Sequence, residues 1–474
     1  MGRGAIVLAA GLGTRMKSKT HKVLHQVCEK PMIVHILDEL EKLDLDQLIV
    51  VVGQQREAVE IVLQGRAQIA YQAEQLGTGH AVSAAASLLR PDVDTTVVLY
   101  GDAPLIQAET IERLLVEREQ RQASAVVLTA TVTDPTGLGR VTLDADGAVV
   151  RIVEEKDATP AEREICFINT GIYAYQTTDL LRSLAQLRPD NAQGEYYLTD
   201  TLAILRQENK LVSALEVEDA TEIASVNDRV QLAQVEQLMR QRINRSWMKQ
   251  GVTLVDPSAT YIGLDVTIGQ DTVLLPGTIL GGRTQIGSAC VIGPNTRLID
   301  VIVGDEAKVE YAVALQSDIG PRASVGPFAY LRPGSVIGER VKIGDFVEIK
   351  NSTIGDDSKV SHLSYVGDTS VGQRVNVGCG VVTVNYDGRG KYRTIIGDDA
   401  FVGSNVNLIA PVQVGDGAYV VAGSTITDEV PADGFAIARS RQVTKPNYVK
   451  SWQGLRFGKE NFRGKTDECP ETET

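Results

Sequence analysis

The stretch "IGPRASVGPFAYLRPGSVIGERVKIGDFVEIKNST", beginning at Ile319, repeats every six residues. Ile319, Val325, Leu331, Ile337, Ile343 and Ile349 stand at that interval, and glycine follows most of them. A helix buries every third or fourth residue and a half-buried strand every second, so neither can hide a period of six. A triangular parallel β-helix can. Each side of such a prism takes six residues, turns one aliphatic side chain inward and places glycine near the corner. The frame slips by one and resumes at Ile354, Val360 and Val366, then slips again to Val371 and Val377. After an interruption it runs through Ile396, Val402, Leu408, Val414 and Val420. Three sides make a coil, so Val252 to Ala436 supplies roughly ten coils. The low aromatic content, 5%, agrees with a narrow core of Ile, Val and Leu. A β-sandwich would alternate every second residue instead.

The first half obeys another grammar. From Gly4 to Asn227, β-branched runs such as "AIVLAA", "LDQLIVVVG", "TTVVLYGD" and "ASAVVLTATV" alternate with helical patterns such as "PMIVHILDELEKL" and "AETIERLLVEREQ". That alternation predicts an α/β domain with a mostly parallel sheet, whose ligands sit at the carboxyl ends of the strands. "GLGTRM", "YGDAP" and "NTG" are each read as following a strand, so they can converge on one crevice. Between the halves, Val230, Val235, Leu238, Met239, Ile243 and Trp247 recur at helical spacing and predict one amphipathic linker helix ended by Gly251. The expected division is residues 1–227, a helix over 228–251, a β-helix over 252–456 and a polar, disordered tail over 457–474.

Bulk properties exclude several partners. The net charge of −14 argues against nucleic acid or an anionic membrane as a general partner, although a few local cations suffice for anionic small molecules. Cys28, Cys166, Cys290, Cys379 and Cys469 are odd in number, far apart and without metal-ligand spacing, which suits a reducing, cytoplasmic setting. No run approaches the ~20 apolar residues of a membrane span.

"AIVLAAGLGTRM", Ala5 to Met16, is an apolar strand breaking into glycines, the pattern of a phosphate-holding loop. It lacks the third glycine of a dinucleotide fingerprint and the Gly-Lys-Ser/Thr of a P-loop. With "THKVL" it resembles the signature of sugar-phosphate nucleotidyltransferases, with Lys22 carrying the match and His21 where proline is usual. "QAEQLGTGHAV", "YGDAPL", "GLGRV", "IVEEKDAT", "INTGIY" and "SVND" narrow the match. Together with the hexapeptide half, nearly the whole chain resembles the bifunctional N-acetylglucosamine-1-phosphate uridylyltransferase/glucosamine-1-phosphate acetyltransferase family. The resemblance implies a Rossmann-like nucleotidyltransferase domain joined by a long helix to a left-handed parallel β-helix.

For the first half, the resemblance implies that UTP and then UDP-N-acetylglucosamine are held by Leu8, Ala9, Ala10, Gly11, Gly13, Lys22, Gln72, Gln75, Gly77, Thr78, Tyr100, Gly101, Asp102 and Asn227. Arg15 and Lys22 are the catalytic cations for a triphosphate attacked at its α-phosphorus, and Asp102 and Asn227 are the Mg²⁺ ligands. Two hard protein oxygens plus phosphates is a donor set that Mg²⁺ prefers. Gly139, Glu154, Asn169 and Thr170 match positions that hold the acetamido sugar, and Glu155 stands where the family carries histidine. Phosphoryl-type transfer of this kind depends on positioning and charge neutralisation, for which these residue types suffice.

Of five histidines, only His362 lies in the repeat. "YLRPG", "EIKN" and "NVGCGVVTVNYDGRGKYRT" break the hexapeptide monotony around it, the last as a protruding loop. The resemblance makes His362 the base that deprotonates the amine of glucosamine-1-phosphate, a task suited to imidazole near neutral pH. It further implies Arg332, Lys350, Tyr365, Asn376 and Lys391 as sugar-phosphate residues, with Asn385 helping to orient the ring. Asn385 also belongs with Cys379, Tyr386, Ser404, Ala422 and Arg439 as acetyl-CoA residues. Cys379 stands where alanine is expected and exposes the site to oxidation. A homotrimer is implied, with the acetyl-CoA cleft between subunits, and the product would feed peptidoglycan and lipopolysaccharide synthesis. Two alternatives stand beside this reading: a single-activity nucleotidyltransferase whose β-helix only oligomerises, and a sugar-nucleotide sensor with a decayed site.

Overall fold

The computed structural model describes residues 2–11, 13–54, 56–145, 147–191 and 193–451, so the expected tail and Cys469 lie outside the described residues. The first half is built on one sheet. Strands β1 (Gly2–Ala9), β2 (Gln47–Val52), β3 (Gln68–Tyr71) and β4 (Val93–Tyr100) pair in parallel, β4 beside β1, then β2, then β3. Ile6, Val7, Ile49, Val50, Val97 and Val98 are fully buried, because helices cover both faces of these strands.

The remaining strands are β5 (Ala125–Thr131), β6 (Gly139–Leu143), β7 (Val149–Val153), β8 (Phe167–Gln176) and β9 (Val212–Glu216). The order β9-β5-β8-β4-β1-β2-β3 has four parallel junctions and two antiparallel ones, both made by β8. The mostly parallel reading thus describes the main path, and the β6–β7 hairpin hung on β8 makes the sheet mixed. β8 also corrects one local expectation. "NTG" does not follow a strand but interrupts one, since the β5 register shifts between Asn169 and Tyr173. The strand bends there because its first half pairs with β6 and its second half with β4.

A helix over Arg229–Lys249 leads away from this sheet, with Asp228 capping it by accepting from the Val230 and Gln231 amides. Val235, Met239 and Ile243 are buried as their spacing requires, but Val230 is 68% exposed. It sits in the first turn, before the helix reaches the surfaces it covers. Those surfaces are Met16, Val27, Met32, Leu105 and Val226 on one side and Val252, Leu254 and the prism core on the other, joined in one apolar cluster. Polar contacts tie the joint. Glu29 accepts from the Gly282 amide at 3.0 Å, Lys30 pairs with Asp265 at 3.0 Å, and Arg242 donates to the Leu105 carbonyl at 2.8 Å.

From Thr253 to Ala436 the chain winds into a parallel prism of three sheets, with 11, 10 and 9 strands among the described residues. Up to Asn407–Ile409 each strand pairs with the one three positions later, as Ser324–Val325 pairs with Lys342–Ile343. Every aliphatic residue of the six-residue frame named above is buried. The glycine that follows the inward aliphatic residue has a specific cause: a Cβ on Gly320 or Gly338 would lie 2.6 Å or 2.5 Å from the next coil. The left-handed backbone at the corners falls instead to other residues, such as Arg322 and Arg340.

Candidate active sites

The carboxyl ends of β1 and β4 open onto a cavity of about 350 Å³. It is lined by Leu8, Ala9, Ala10, Gly11, Lys22, Gln72, Gln75, Gly77, Thr78, Tyr100, Asp102 and Asn227, all expected from the sequence. Gly13 and Gly101, also expected there, are not among the lining residues; the Gly101 amide is bonded to the Leu8 carbonyl at 2.8 Å.

Gly13 shows why the loop must be glycine-rich. Its backbone is left-handed at φ +60°, and a Cβ there would stand 2.7 Å from the Lys22 Cβ. Glycine therefore lets Lys22 fold back over the loop, where its amine pairs with Asp102 and reaches Asn227 Oδ1 at 3.3 Å. Arg15 donates to the same Asn227 oxygen at 2.9 Å but lies outside the cavity lining. The Val226 amide donates to the Asp102 carbonyl at 2.9 Å, so the two expected metal residues are held together by backbone. A carboxylate and an amide oxygen on which two cations already converge form a donor set suited to Mg²⁺.

Gln72 is buried, with its amide nitrogen 3.0 Å from His80 Nδ1, and Gln75 donates to the Ala10 carbonyl at 3.3 Å. Gly77, at φ +110°, lies against Tyr196, whose carbonyl a Cβ would meet at 2.6 Å. The Gln72–Thr78 segment is thereby locked to the chain around Tyr196, with Gly79 donating to the Tyr196 carbonyl at 2.8 Å. His21, in the place of the usual proline, is buried, and burial pushes its imidazole below the ordinary range.

Thr78, Tyr100 and Glu195 also line a second cavity of about 250 Å³, so the two are continuous. Asn169 lines it from β8 and Glu154 from just past the end of β7, with Gly139 paired to Asn169 on the neighbouring strand. Burial, and then the charges of Asp157 and Asp200, push the Glu154 carboxyl above its usual range. Thr170 is turned away: its hydroxyl donates to the Leu128 carbonyl at 2.7 Å. Glu155 pairs with the buried guanidinium of Arg140 and accepts from the Gly137 amide at 3.1 Å. Arg140 holds the Glu155 carboxyl below the usual range, so this carboxylate neutralises a buried cation beside the pocket. Glu195, Tyr197 and Thr199 were not anticipated. Their signal was "QGEYYLTD", an aromatic pair between glycine and a helix start, which lies far in sequence from every motif it touches.

In the prism, the expected residues gather in two groups. Arg332, Lys350, Tyr365, Asn385 and Lys391 share one face. Lys350 pairs with Asp368 at 3.2 Å, and Asn385 bonds to Asp368 and to the Tyr365 hydroxyl. Arg332 pairs with Glu348 at 2.9 Å. The neighbouring Lys350 holds the Lys391 amine below its usual range, a sign of cations crowded beyond what Asp368 neutralises. Such crowding is relieved by a bound phosphate. Tyr386, on the loop after Val384, is exposed and bridges to Lys391.

The second group forms a column. Val360 pairs with Val377, Val377 with Val402 and Val402 with Val420. His362, Cys379, Ser404 and Ala422 each stand two residues beyond one of these, so they occupy the same corner of four successive coils. Arg439 lies at the head of the column, its Cδ 3.6 Å from a Cβ built on Gly423. Cys379 is exposed and free. Below His362 stands Asp345, which sequence reasoning missed; its Oδ1 is 2.6 Å from His362 Nδ1. Asn376 joins neither group. It lies on the sheet face that continues Lys342 and Lys359. Among the described residues, no hydrogen bond or ion pair links the His362 column to the Lys350–Lys391 cluster.

Comparison with known proteins shows what each half of the chain is similar to. The MobA-like NTP transferase domain family matches residues 5–206. The bacterial transferase hexapeptide family (six repeats) matches residues 265–300 and 393–428, and the GMPPB C-terminal domain family matches residues 313–392. The bifunctional protein GlmU of Shouchella clausii is 53% identical over 449 residues, 95% of this chain and 99% of that protein. Those of Halalkalibacterium halodurans and of an Exiguobacterium species are 51% and 52% identical. They cover 94% and 95% of this chain and 98% and 100% of their own length.

Proposed function

The chain belongs to the family of bifunctional GlmU proteins, and from that premise we propose the division of labour between its two sites. The prism moves acetyl from acetyl-CoA to glucosamine-1-phosphate. The first half then moves uridylyl from UTP to N-acetylglucosamine-1-phosphate, giving UDP-N-acetylglucosamine and pyrophosphate.

In uridylyl transfer, the sugar phosphate approaches from the Glu154–Asn169 cavity and UTP lies in the glycine-loop cavity. Their junction at Thr78 and Tyr100 brings the attacking phosphate to the α-phosphorus. Gln72 and Gln75 orient uracil through amide groups that can donate and accept. Arg15 and Lys22 balance the charge that develops on the leaving pyrophosphate. Asp102 and Asn227 would hold Mg²⁺, which neutralises phosphate oxygens when bound. In acetyl transfer, Arg332, Lys350 and Lys391 hold the sugar phosphate while His362 takes the amine proton, and Ser404, Ala422 and Arg439 line the path of acetyl-CoA.

We take the working assembly to be a homotrimer. Tyr311, Phe328, Phe346 and Leu363 form an exposed apolar edge over successive coils and lead to His362. The His362 column and the cation cluster, unconnected within one chain, meet if a neighbouring subunit supplies one of them. A cytoplasmic setting suits the nucleotide and thioester substrates and the unpaired described cysteines.

The observation that carries this reading is the presence of two separate constellations, each with its own cations and its own reacting-group chemistry. Asp102→Ala should abolish pyrophosphate release from UTP and leave thiol release from acetyl-CoA intact, while His362→Ala should do the reverse. Loss of both activities in either folded variant would sink the two-site reading.

A further inference from the structure

Asp345 and His362 are joined by more than proximity. They are a directly paired position of two adjacent coils, with Nδ1 and Oδ1 2.6 Å apart. The strands that carry them, Lys342–Asp345 and Lys359–His362, have four residues each, whereas the other described prism strands have two or three. The ladder is extended at this corner just far enough to include the pair. Gly344 makes the extension possible, because a Cβ there would stand 1.9 Å from the Ser361 carbonyl oxygen. Lys342 and Lys359 occupy the outward column of the same two strands, and the Cys379 thiol stands one coil above.

We propose that Asp345 is the positioning residue that makes His362 Nε2 the base for acetyl transfer; the proposal rests on the acetyltransferase reading of His362. An ionised carboxylate only accepts, so the ring must carry its proton on Nδ1 and leave the Nε2 lone pair free. Nε2 meets no hydrogen-bonding partner among the described residues. In the reaction, the amine nitrogen bonds to the acetyl carbon and its proton passes to Nε2. The carbon–sulfur bond then breaks, and the proton returns to the departing CoA sulfur. Asp345 holds the ring's orientation throughout and balances the imidazolium formed midway.

Thiol release from acetyl-CoA, followed in the full-length enzyme, tests this. Asp345→Asn keeps the shape and removes the charge. Its kcat for acetyl transfer should fall by about 10- to 100-fold, the scale of general-base effects, with KM for both substrates within about twofold of wild type. Asp345→Glu should recover part of kcat. Uridylyl transfer should be unchanged in both variants, and a wild-type prism transition in calorimetry would report that they are folded. Wild-type kcat in Asp345→Asn, beside an inactive His362→Ala, would overturn the positioning role alone. Full acetyl transfer by His362→Ala would overturn the base assignment and this proposal with it.

Discussion

At the scale of single residues, the glycine loop is explained by one contact. Gly13 is left-handed and packs where any side chain would press on Lys22. Gly13→Ala combines an unfavourable backbone, about 1–2 kcal/mol, with that collision. Pyrophosphate release should fall at least about tenfold, the equivalent of 1.4 kcal/mol, while acetyl transfer holds. Glu154 argues in the opposite direction, toward function at the expense of stability. Its carboxyl is pushed above the ordinary 4.5 by burial and by Asp157 and Asp200, so it gives up its proton less readily folded than unfolded. The resulting penalty is absent well below pH 4.5, grows as pH rises, and is complete above the folded-state pKa. Glu154→Gln should therefore melt higher relative to wild type at pH 7 than at pH 4, while KM for N-acetylglucosamine-1-phosphate rises. A constant melting difference across that range would contradict the assignment.

At the scale of elements, the prism coil and the linker helix do different work. A coil has two to four strand residues per side and owes its stability to the inward column, so Ile343→Ala should cost about 2–5 kcal/mol. Calorimetry should show that loss in the transition that also abolishes acetyl transfer. The linker helix acts at its first turn. Asp228 caps it, and the Asn227 amide donates to Gln231 at 2.8 Å, so helix start and candidate metal residue are one structure. Asp228→Ala should lower stability by about 1 kcal/mol. Because the capped turn positions Gln231, which accepts from the Asn227 amide, the substitution should also raise the Mg²⁺ concentration needed for half-maximal uridylyl transfer.

At the scale of the molecule, one apolar cluster runs from Met16 and Val226 through Val235, Met239 and Ile243 into the prism. A fragment ending at residue 227 leaves Met16, Val27, Met32 and Leu105 without their cover. A fragment ending at residue 251 keeps it. The longer fragment should be soluble and retain uridylyl transfer, and the shorter one should aggregate, as light scattering would report. Equal behaviour of the two would mean that the helix is only a spacer. Three chains per particle in the full-length enzyme are expected by the same measurement.

The prism was legible in the sequence because its repeat is local: one inward aliphatic residue per six requires a turning parallel coil, whatever surrounds it. The glycine-loop site was legible for a related reason, since Gly13, Lys22, Asp102 and Asn227 each sit in a short motif with its own chemistry. The "NTG" segment was misplaced because the bend in β8 depends on which strands it meets, a choice made by the sheet. Glu195 and Tyr197 were missed because a segment distant in sequence closes the second cavity. Asp345 was missed for the same physical reason. Its partnership with His362 depends on coil lengths that vary as the frame slips, and only the wound prism sets which residues face each other across coils. Periodicity and residue chemistry thus determined the two folds and most candidate groups, and tertiary packing decided which of those groups touch.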